Sequence, residues 1–261
     1  MTEPKVAERR GVLVTGASRG IGRAVALAFA HAGERVAVHS TRPHEEAKST
    51  LAALPGTGHA LVTGDLADPA AAARIATDAI IALGRVDVLV NNAGVAPTAE
   101  NRHAPAEVDY ADWVATWQHM IQVNLLGAAN VTWAVARHLI DRGAPGSIVN
   151  IGSRGAYRGE PTHPAYAASK AALHALGQSL AIALAPHHIA VTSVAPGFIA
   201  TERQQPKLAA PSGEALRQES PFGRVGTPEE VAHTVLHLSA PASAWTSGTI
   251  IDLNGASHLR P

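Results

Sequence analysis

The stretch Gly11-Val-Leu-Val-Thr-Gly16-Ala-Ser-Arg-Gly20-Ile-Gly22 decides the fold of this 261-residue chain. A short apolar run ends in a glycine, two more glycines follow, and an alanine-rich helical segment begins at Arg23. Strand, glycine turn and helix in this order are typical of a dinucleotide site. The glycines let backbone approach a pyrophosphate, and the helix N-terminus offers unpaired N–H groups. The spacing is G-x-x-x-G-x-G rather than G-x-G-x-x-G.

The remainder of the chain alternates between strand and helix patterns. Further strands are predicted at residues 35–39, 59–66, 86–90, 147–153, 189–195 and 249–253, and helices at 45–53, 68–83, 110–140, 165–185 and 228–238. This alternation predicts an α/β fold: a single Rossmann-type, doubly wound parallel sheet of about seven strands with helices on both faces. We expect one domain over residues 1–261. Residues 95–109, 154–163 and 198–222 are expected to be irregular, and they would decide the substrate.

The composition narrows the class of partner. Lys+Arg and Asp+Glu both number 21, so the net charge is +0 and no global field recruits nucleic acid or a membrane surface. There are no cysteines, which excludes a disulfide framework and a thiolate metal site. Residues 1–10 are polar and lack the apolar core of a signal peptide. We therefore expect a cytoplasmic protein that acts on a small molecule.

Tyr166 and Lys170 are four residues apart at the start of the helix predicted at 165–185. This spacing places both side chains on one helical face. A free phenol ionises near ~10, and a nearby ammonium favours the phenolate, so Lys170 is expected to lower the pKa of Tyr166. Such a pair suits acid–base catalysis. Ser153 is predicted to end a buried strand thirteen residues upstream and to add a hydroxyl.

The end of the second predicted strand indicates which dinucleotide binds. A fold that binds NAD usually places Asp or Glu there, for the ribose 2′-hydroxyl. Here Ser40, Thr41 and Arg42 occupy this position. Arg19, from the glycine turn, borders the same ribose, and two guanidinium groups could clamp a 2′-phosphate. The sequence therefore favours NADP(H) over NAD(H), although Arg42 could instead begin a solvated helix.

Several other histidines and arginines are not expected to take part in metal binding or catalysis. His233 and His237 share a helical face, but no acidic third ligand has matching spacing, so no metal site is predicted. Arginines lie in or beside the irregular segments, where they could meet an anionic substrate or be solvated. We favour solvation, since loop charges are usually exposed. These arginines are Arg102, Arg154, Arg158 and Arg203.

Several motifs in order resemble the short-chain dehydrogenase/reductase family. They are Thr15-Gly-Ala-Ser-Arg-Gly-Ile-Gly22, Asn91-Asn-Ala-Gly94, Asn124, Ser153, Tyr166-x-x-x-Lys170, Pro196-Gly197 and Arg224-Val-Gly-Thr-Pro-Glu-Glu-Val-Ala232. The match runs nearly end to end. One departure is the last turn, Asp252-Leu-Asn-Gly-Ala256, where many members have paired glycines.

The resemblance implies NADP(H)-dependent interconversion of a carbonyl and a secondary alcohol. Tyr166 would exchange the hydroxyl proton, while Lys170 would lower its pKa and hold the nicotinamide ribose. Ser153 would hydrogen-bond the carbonyl, and Asn124 would support a water chain behind Lys170. The residues expected to bind the cofactor are Gly16, Ser18, Arg19, Gly20, Ile21, Gly22, Ser40, Thr41, Arg42, Asp65, Leu66, Asn92, Ala93, Gly94, Tyr166, Lys170, Pro196, Gly197, Ile199 and Thr201.

The substrate and the assembly stay open at this point. A 3-oxoacyl thioester and a small ketone, sugar or polyol all suit the resemblance. The alternatives are an NAD-linked sugar, polyol or hydroxysteroid-type dehydrogenase, and a catalytically silent NADP(H)-sensing protein. The helix predicted at 165–185 is apolar almost all round, and family members pair this helix and the Asn124 helix across subunits. We therefore expect a homo-oligomer, a tetramer by resemblance.

Overall fold

Strands and helices alternate as predicted in the computed structural model, which describes residues 9–260. Most of the polar N-terminal stretch, up to residue 8, lies outside the described residues. The strands are β1 (Gly11–Val14), β2 (Arg35–Ser40), β3 (Ala60–Thr63), β4 (Val88–Asn91), β5 (Gly146–Ile151), β6 (Ile189–Pro196) and β7 (Ile250–Leu253). The helices are α1 (Gly20–His31), α2 (Glu45–Ala53), α3 (Pro69–Leu83), α4 (Tyr110–Ile121), α5 (Ala128–Asp141), α6 (Gly155–Arg158), α7 (Pro164–Leu184), α8 (Gln205–Ala209), α9 (Gly213–Gln218) and α10 (Pro228–Leu238).

The seven strands form one parallel sheet in the order β3-β2-β1-β4-β5-β6-β7. Successive side chains of a strand point to opposite faces, so β1 contributes to two cores. Val12 packs with Phe29 and Val235 on the face covered by α1 and α10. Leu13 packs with Ile75 and Leu139 on the face covered by α3 and α5. The predicted α/β fold with helices on both faces is confirmed.

The connections explain where a site forms. After β1 the chain builds β2 and β3 on one side, and β4 then pairs with the opposite edge of β1. The loops after β1 and β4 therefore leave the sheet in diverging directions. In open parallel sheets, ligands bind in the crevice that this divergence opens at the carboxyl ends of the strands.

The helix predicted at 110–140 is not regular. α4 and α5 are joined by a π-helical segment, Gln122–Gly127, which contains Asn124. The segments predicted to be irregular also contain short helices: α6 lies in 154–163, while α8 and α9 lie in 198–222. These helices have four to six residues, which is too short for the 3.6-residue apolar repeat that a sequence pattern requires.

α7 is the longest helix of the described residues, with 21 residues. Its first residue is Pro164, which suits a first helical position because the N–H there needs no partner. Ser169 and Lys170 are buried against the sheet, whereas Ile182 on the outer side is 79% exposed. Within residues 9–260, no helix has both the length and the apolar character needed to cross a bilayer.

Candidate active site

A cavity of about 800 Å³ opens at the carboxyl ends of the strands. We call the part lined by Gly16, Gly20 and Ser40 the glycine end, and the part lined by Ser153 and Tyr166 the tyrosine end. Most of the predicted site residues line this cavity: Gly16, Ser18, Arg19, Gly20, Ile21, Gly22, Ser40, Thr41, Asp65, Leu66, Asn92, Ala93, Gly94, Ser153, Tyr166, Lys170, Pro196, Gly197, Ile199 and Thr201. Arg42 and Asn124 are not part of the lining.

The glycine turn is held by contacts that only glycine allows. Gly16 has a φ of 63°, and a Cβ there would lie 2.8 Å from Cα of Ala93. A Cβ on Gly22 would lie 2.3 Å from the carbonyl oxygen of Gly16. The Asn92 amide nitrogen donates to the carbonyls of Thr15 and Gly16, at 2.9 and 3.0 Å. These close backbone contacts and the Asn92 hydrogen bonds therefore fix the conformation of the turn before any ligand binds.

The donors of this turn fit a pyrophosphate. α1 begins at Gly20, so its first N–H groups have no partner inside the helix. The Gly20 N–H donates to the carboxylate of Glu202 at 3.1 Å, which shows that an anionic group can sit at this helix end. A cavity that continues from this N-terminus to Tyr166 fits an NAD(P) molecule, with the phosphates at α1 and the nicotinamide at the tyrosine end.

The residues predicted to surround the ribose are only partly where we expected them. Ser40 is buried, and its hydroxyl donates to the carbonyl of Arg42 at 2.7 Å. Arg19 and Thr41 line the cavity, and an Arg19 guanidinium nitrogen lies 3.7 Å from a carboxylate oxygen of Glu46. The side chain of Arg42 is exposed and lies outside the lining. Of the two arginines in the predicted clamp, only Arg19 faces the cavity.

His39 is a site residue that the sequence analysis missed. It is 2% exposed, next to the end of β2, and it lines the glycine end. Its Nδ1 accepts from the Gly16 N–H at 3.1 Å, and its Nε2 bonds the Gly64 carbonyl at 3.0 Å. Burial lowers the pKa of His39 to about 4, so the ring is neutral at pH 7. This fixed tautomer ties the glycine turn to the neighbouring strand.

Ser153, Tyr166 and Lys170 meet at the tyrosine end. Ser153 follows β5, and its hydroxyl oxygen accepts from the Gly155 N–H at 3.0 Å and is hydrogen-bonded to the Tyr166 phenol. The Lys170 ammonium donates to the carbonyl of Ile151 at 2.8 Å. Strand β5 and helix α7 therefore bring a hydroxyl, a phenol and an ammonium to one place.

The pKa values at this end differ from the sequence-based expectation. Burial, the largest cause, raises the pKa of Tyr166, and the charge of Glu160 raises it further, while the Ser153 hydrogen bond lowers it. Burial lowers the pKa of Lys170 to about 8. Lys170, whose ammonium donates to the Ile151 carbonyl, is not among the groups that shift the pKa of Tyr166 in this geometry. The phenol is therefore protonated across neutral pH.

Asn124 lies one layer behind the cavity. Its Oδ1 accepts from the Val95 N–H at 2.7 Å, and its Nδ2 donates to Ser169 at 3.0 Å. A Cβ added at Gly94 would be 3.1 Å from Asn124 Oδ1 and 3.5 Å from Lys170 Nζ. Asn124 is thus close behind Lys170, and the π-helical segment turns its side chain inward.

The arginines expected to be solvated divide into two groups. Arg102 and Arg158 are largely exposed, as expected. Arg154 is 5% exposed, because it bonds Glu219 and Ser257, so the prediction of solvation is wrong there. Arg203 lines the cavity, and burial lowers its pKa, followed by the charge of Arg19. Among residues 9–260, no group of three or more metal-ligating side chains is close enough to hold a metal ion.

Comparisons with known proteins agree with this geometry. A family model described as short chain dehydrogenase matches residues 10–211. The L-rhamnose 1-dehydrogenase (NAD(P)(+)) of Sphingomonas sp. (strain SKA58) is 35% identical over 258 residues, covering 98% of both chains. The 3-oxoacyl-[acyl-carrier-protein] reductase of Thermotoga maritima is 35% identical over 250 residues, covering 95% of this chain and 97% of the relative. An Agrobacterium tumefaciens crystal structure with bound NADP, assigned as a 2-deoxy-D-gluconate 3-dehydrogenase, is 32% identical, with a TM-score of 0.84 and coverage of 96% and 97%.

Proposed function

Because the chain belongs to the short-chain dehydrogenase/reductase family, whose members are NAD(P)-dependent oxidoreductases, we propose that it reduces a carbonyl to a secondary alcohol with NADPH, and catalyses the reverse with NADP. One observation carries the proposal. Ser153, Tyr166 and Lys170 converge at one end of a cavity whose other end is a glycine turn at the N-terminus of α1. The experiment is NADPH consumption with a panel of carbonyl compounds that includes a diketone and a ketose, and no consumption with any of them would contradict the proposal.

The residues at the tyrosine end have separate tasks. When bound, the nicotinamide supplies or takes up the hydride. Ser153 donates a hydrogen bond to the substrate oxygen and so stabilises the charge that develops on it. The Tyr166 phenol gives its proton to that oxygen during reduction, and takes it back during oxidation. The raised pKa of Tyr166 keeps the phenol protonated, which is the form that carbonyl reduction needs.

Lys170 and Asn124 support this exchange from behind the phenol. The ammonium of Lys170 reaches the ribose of the nicotinamide in the proposed complex, and it remains available to return a proton to Tyr166. A pKa of about 8 suits that return, because the group then gives and regains a proton near neutral pH. Asn124 bonds Ser169, the residue before Lys170 in α7, and the Val95 N–H, and so holds the backbone beside the lysine.

The preference for NADP(H) over NAD(H) rests on Arg19. Ser40 and Thr41 supply hydroxyl groups at the ribose, and no carboxylate ends β2 to repel a 2′-phosphate. We expect Arg19→Ala to weaken NADPH binding by about 10–100-fold, the scale of a charged hydrogen bond, with little effect on NADH. Arg42→Ala is the matched control, because Arg42 lies outside the cavity lining. Equal losses for both cofactors in Arg19→Ala, measured by nucleotide fluorescence, would contradict the preference.

We propose the homotetramer on the apolar residues that the single chain leaves uncovered. Tyr110 of α4 is 81% exposed, Trp133 of α5 is 67% exposed, and Ile182 of α7 is 79% exposed. Large apolar side chains of this kind usually mark an interface when they share one surface. Sedimentation that shows only monomer at micromolar concentration would contradict the tetramer.

A further inference from the structure

Glu160 is a carboxylate that the proposed mechanism does not use. It lies in residues 154–163 and lines the cavity together with Ser153 and Tyr166. Its side chain packs over Gly155, where an added Cβ would come within 2.7 Å of Oε1. No residue from 9 to 260 donates a hydrogen bond to this carboxylate or forms an ion pair with it. A half-buried carboxylate of this kind retains its full capacity to accept hydrogen bonds.

Two neighbouring side chains carry oxygen atoms as well. His163 is hydrogen-bonded through Nε2 to the Thr98 carbonyl and through Nδ1 to the Thr162 hydroxyl, both at 2.9 Å. Thr162 itself lines the cavity. Gln204 also lines the cavity, and its shielded side-chain oxygen accepts no hydrogen bond from the described residues. Glu160 and Thr162 therefore bring side-chain oxygen atoms to the cavity, and the Gln204 oxygen is shielded from it.

The cations that line the cavity, which include Lys170, Arg158, Arg203 and Lys207, have partners other than Glu160 among the described residues. A guanidinium nitrogen of Arg158 is 3.3 Å from the carboxylate of Glu219. The charge of Arg203 acts on Arg19 and Glu46 at the glycine end and also lowers the pKa of Tyr166 at the tyrosine end. Lys207 is exposed and close to Glu100, whose pKa is lowered by hydrogen bonds to its own backbone and to Thr98, and also by this lysine. None of these cations forms an ion pair with Glu160 among the described residues.

We propose that Glu160 determines specificity, and that it selects a neutral polyhydroxylated substrate, a ketose or the corresponding polyol. This inference rests on the proposed carbonyl reduction. Hydroxyl groups next to the reacting carbon donate to the Glu160 carboxylate, and charge-assisted hydrogen bonds of this kind are the strong ones. A hydroxyl-free ketone cannot make them, and an anionic sugar acid or a phosphate-bearing thioester is repelled.

The charge of Glu160 can also be tested through the pH dependence of the reaction. It adds to burial in raising the pKa of Tyr166. Glu160→Gln keeps the size of the side chain but removes the charge, so the pKa of Tyr166 should fall. The limb of the pH–rate profile that reports the phenol should then move to lower pH with every substrate. A residue that only supported the loop would not move this limb.

The experiment compares three carbonyl compounds with NADPH and NADH: 2,3-butanedione, xylulose and the anion 2-ketogluconate. In Glu160→Ala, we expect the ratio of kcat/KM for xylulose to kcat/KM for butanedione to fall by about 10–100-fold. Glu107→Gln is the matched control. Glu107 is a partly exposed carboxylate outside the cavity lining, bonded twice to Arg102 at 3.1 Å, and this variant should keep the wild-type ratio.

The outcomes separate the two proposals. If the wild type oxidises NADPH or NADH with butanedione but not with xylulose, or prefers 2-ketogluconate, the role of Glu160 is wrong and carbonyl reduction stands. An unchanged ratio in Glu160→Ala also overturns that role. If no compound is reduced, the proposed function fails, and the inference fails with it. Bound NADPH fluorescence, retained in Glu160→Gln, shows that the variant is folded.

Discussion

The two ends of the cavity are built in opposite ways. At the glycine end the protein satisfies its own groups: Asn92 bonds two carbonyls of the turn, and His39 bonds the Gly16 N–H. At the tyrosine end, Glu160 has a carboxylate without a partner among the described residues. The end proposed to hold the cofactor is therefore fixed by hydrogen bonds within the protein. The end proposed to choose the substrate has a carboxylate whose hydrogen-bond partner would be the substrate.

The largest expected effect is the loss of activity when Tyr166, at the tyrosine end, is replaced by phenylalanine. Tyr166→Phe removes the transferable proton and little volume, so kcat should fall by about 10²–10⁴ while NADPH affinity is retained. Tyr157→Phe is the matched control, because the Tyr157 hydroxyl bonds His174 at 2.9 Å outside the cavity lining. Steady-state kinetics and NADPH fluorescence test both. A kcat above about a hundredth of wild type in Tyr166→Phe would contradict the assignment.

A glycine-to-alanine substitution should lower the free energy of unfolding more at the glycine end than at the tyrosine end. In Gly22→Ala the new Cβ would meet the Gly16 carbonyl at 2.3 Å, and backbone cannot move aside, so we expect a loss of about 3 kcal/mol of unfolding free energy. In Gly155→Ala the three nearest atoms all belong to the flexible Glu160 side chain, so the loss should be about 1 kcal/mol or less. Urea denaturation measures the two values. Equal losses would mean that the ends do not differ in rigidity.

Acid should loosen the glycine end through His39. Its pKa is about 4 in the folded state and about 6.5 when unfolded, so between these values only the unfolded chain takes up the proton. Stability is therefore fully present above pH 6.5 and falls as the pH drops. From pH 6.5 to 5, His39 alone should remove about 2 kcal/mol. His174, whose pKa burial lowers to about 4, adds a similar slope.

His39→Gln separates these two contributions. Its unfolding free energy, measured by urea at pH 7 and pH 5, should fall less with acid than that of the wild type, by about 2 kcal/mol. The remaining slope would belong to His174 and other groups. If the variant loses stability with acid as steeply as the wild type, the hydrogen bonds of His39 do not depend on a neutral ring.

The smallest effect concerns the C-terminal turn behind the tyrosine end. Ala256 has a φ of 57°, where a Cβ is unfavourable, so Ala256→Gly should stabilise the protein by about 1 kcal/mol. Gly255→Ala is the opposite test: φ is 58°, and the new Cβ would lie 2.7 Å from the Ser220 hydroxyl oxygen, so it should destabilise. Thermal unfolding measures the change in stability of both variants. A destabilised Ala256→Gly would show that the turn tolerates this alanine without strain.

The glycine end was predictable because its requirements are local. Gly16 and Gly22 are needed where backbone touches backbone, and strand and helix periodicity on either side fixes their place in the fold. His39 was missed because nothing in the alternation of β2 separates a histidine that bonds the turn from any other buried side chain. Its position beside the end of the strand was the available signal.

At the tyrosine end, only the spacing of the catalytic motif could be predicted from the sequence. The spacing of Tyr166 and Lys170 follows from helix geometry, but the pKa of Tyr166 depends on burial and on Glu160, which lie beyond a four-residue pattern. The burial of Arg154 depends on Glu219, 65 residues away in the chain. Long-range pairs and helices of four to six residues leave no periodic signal, so no sequence pattern could have placed them.

The π-helical segment also restricts how this chain can change in length. Gln122–Gly127 fits one more residue into a turn than an α-helix would. A deletion of one residue there would restore an ordinary α-helical turn and remove the bulge that turns the Asn124 side chain inward. Asn124 would then lose its hydrogen bond from the Val95 N–H. Insertions and deletions should therefore be absent from this helix in descendants that retain activity, and should collect in residues 95–109 instead.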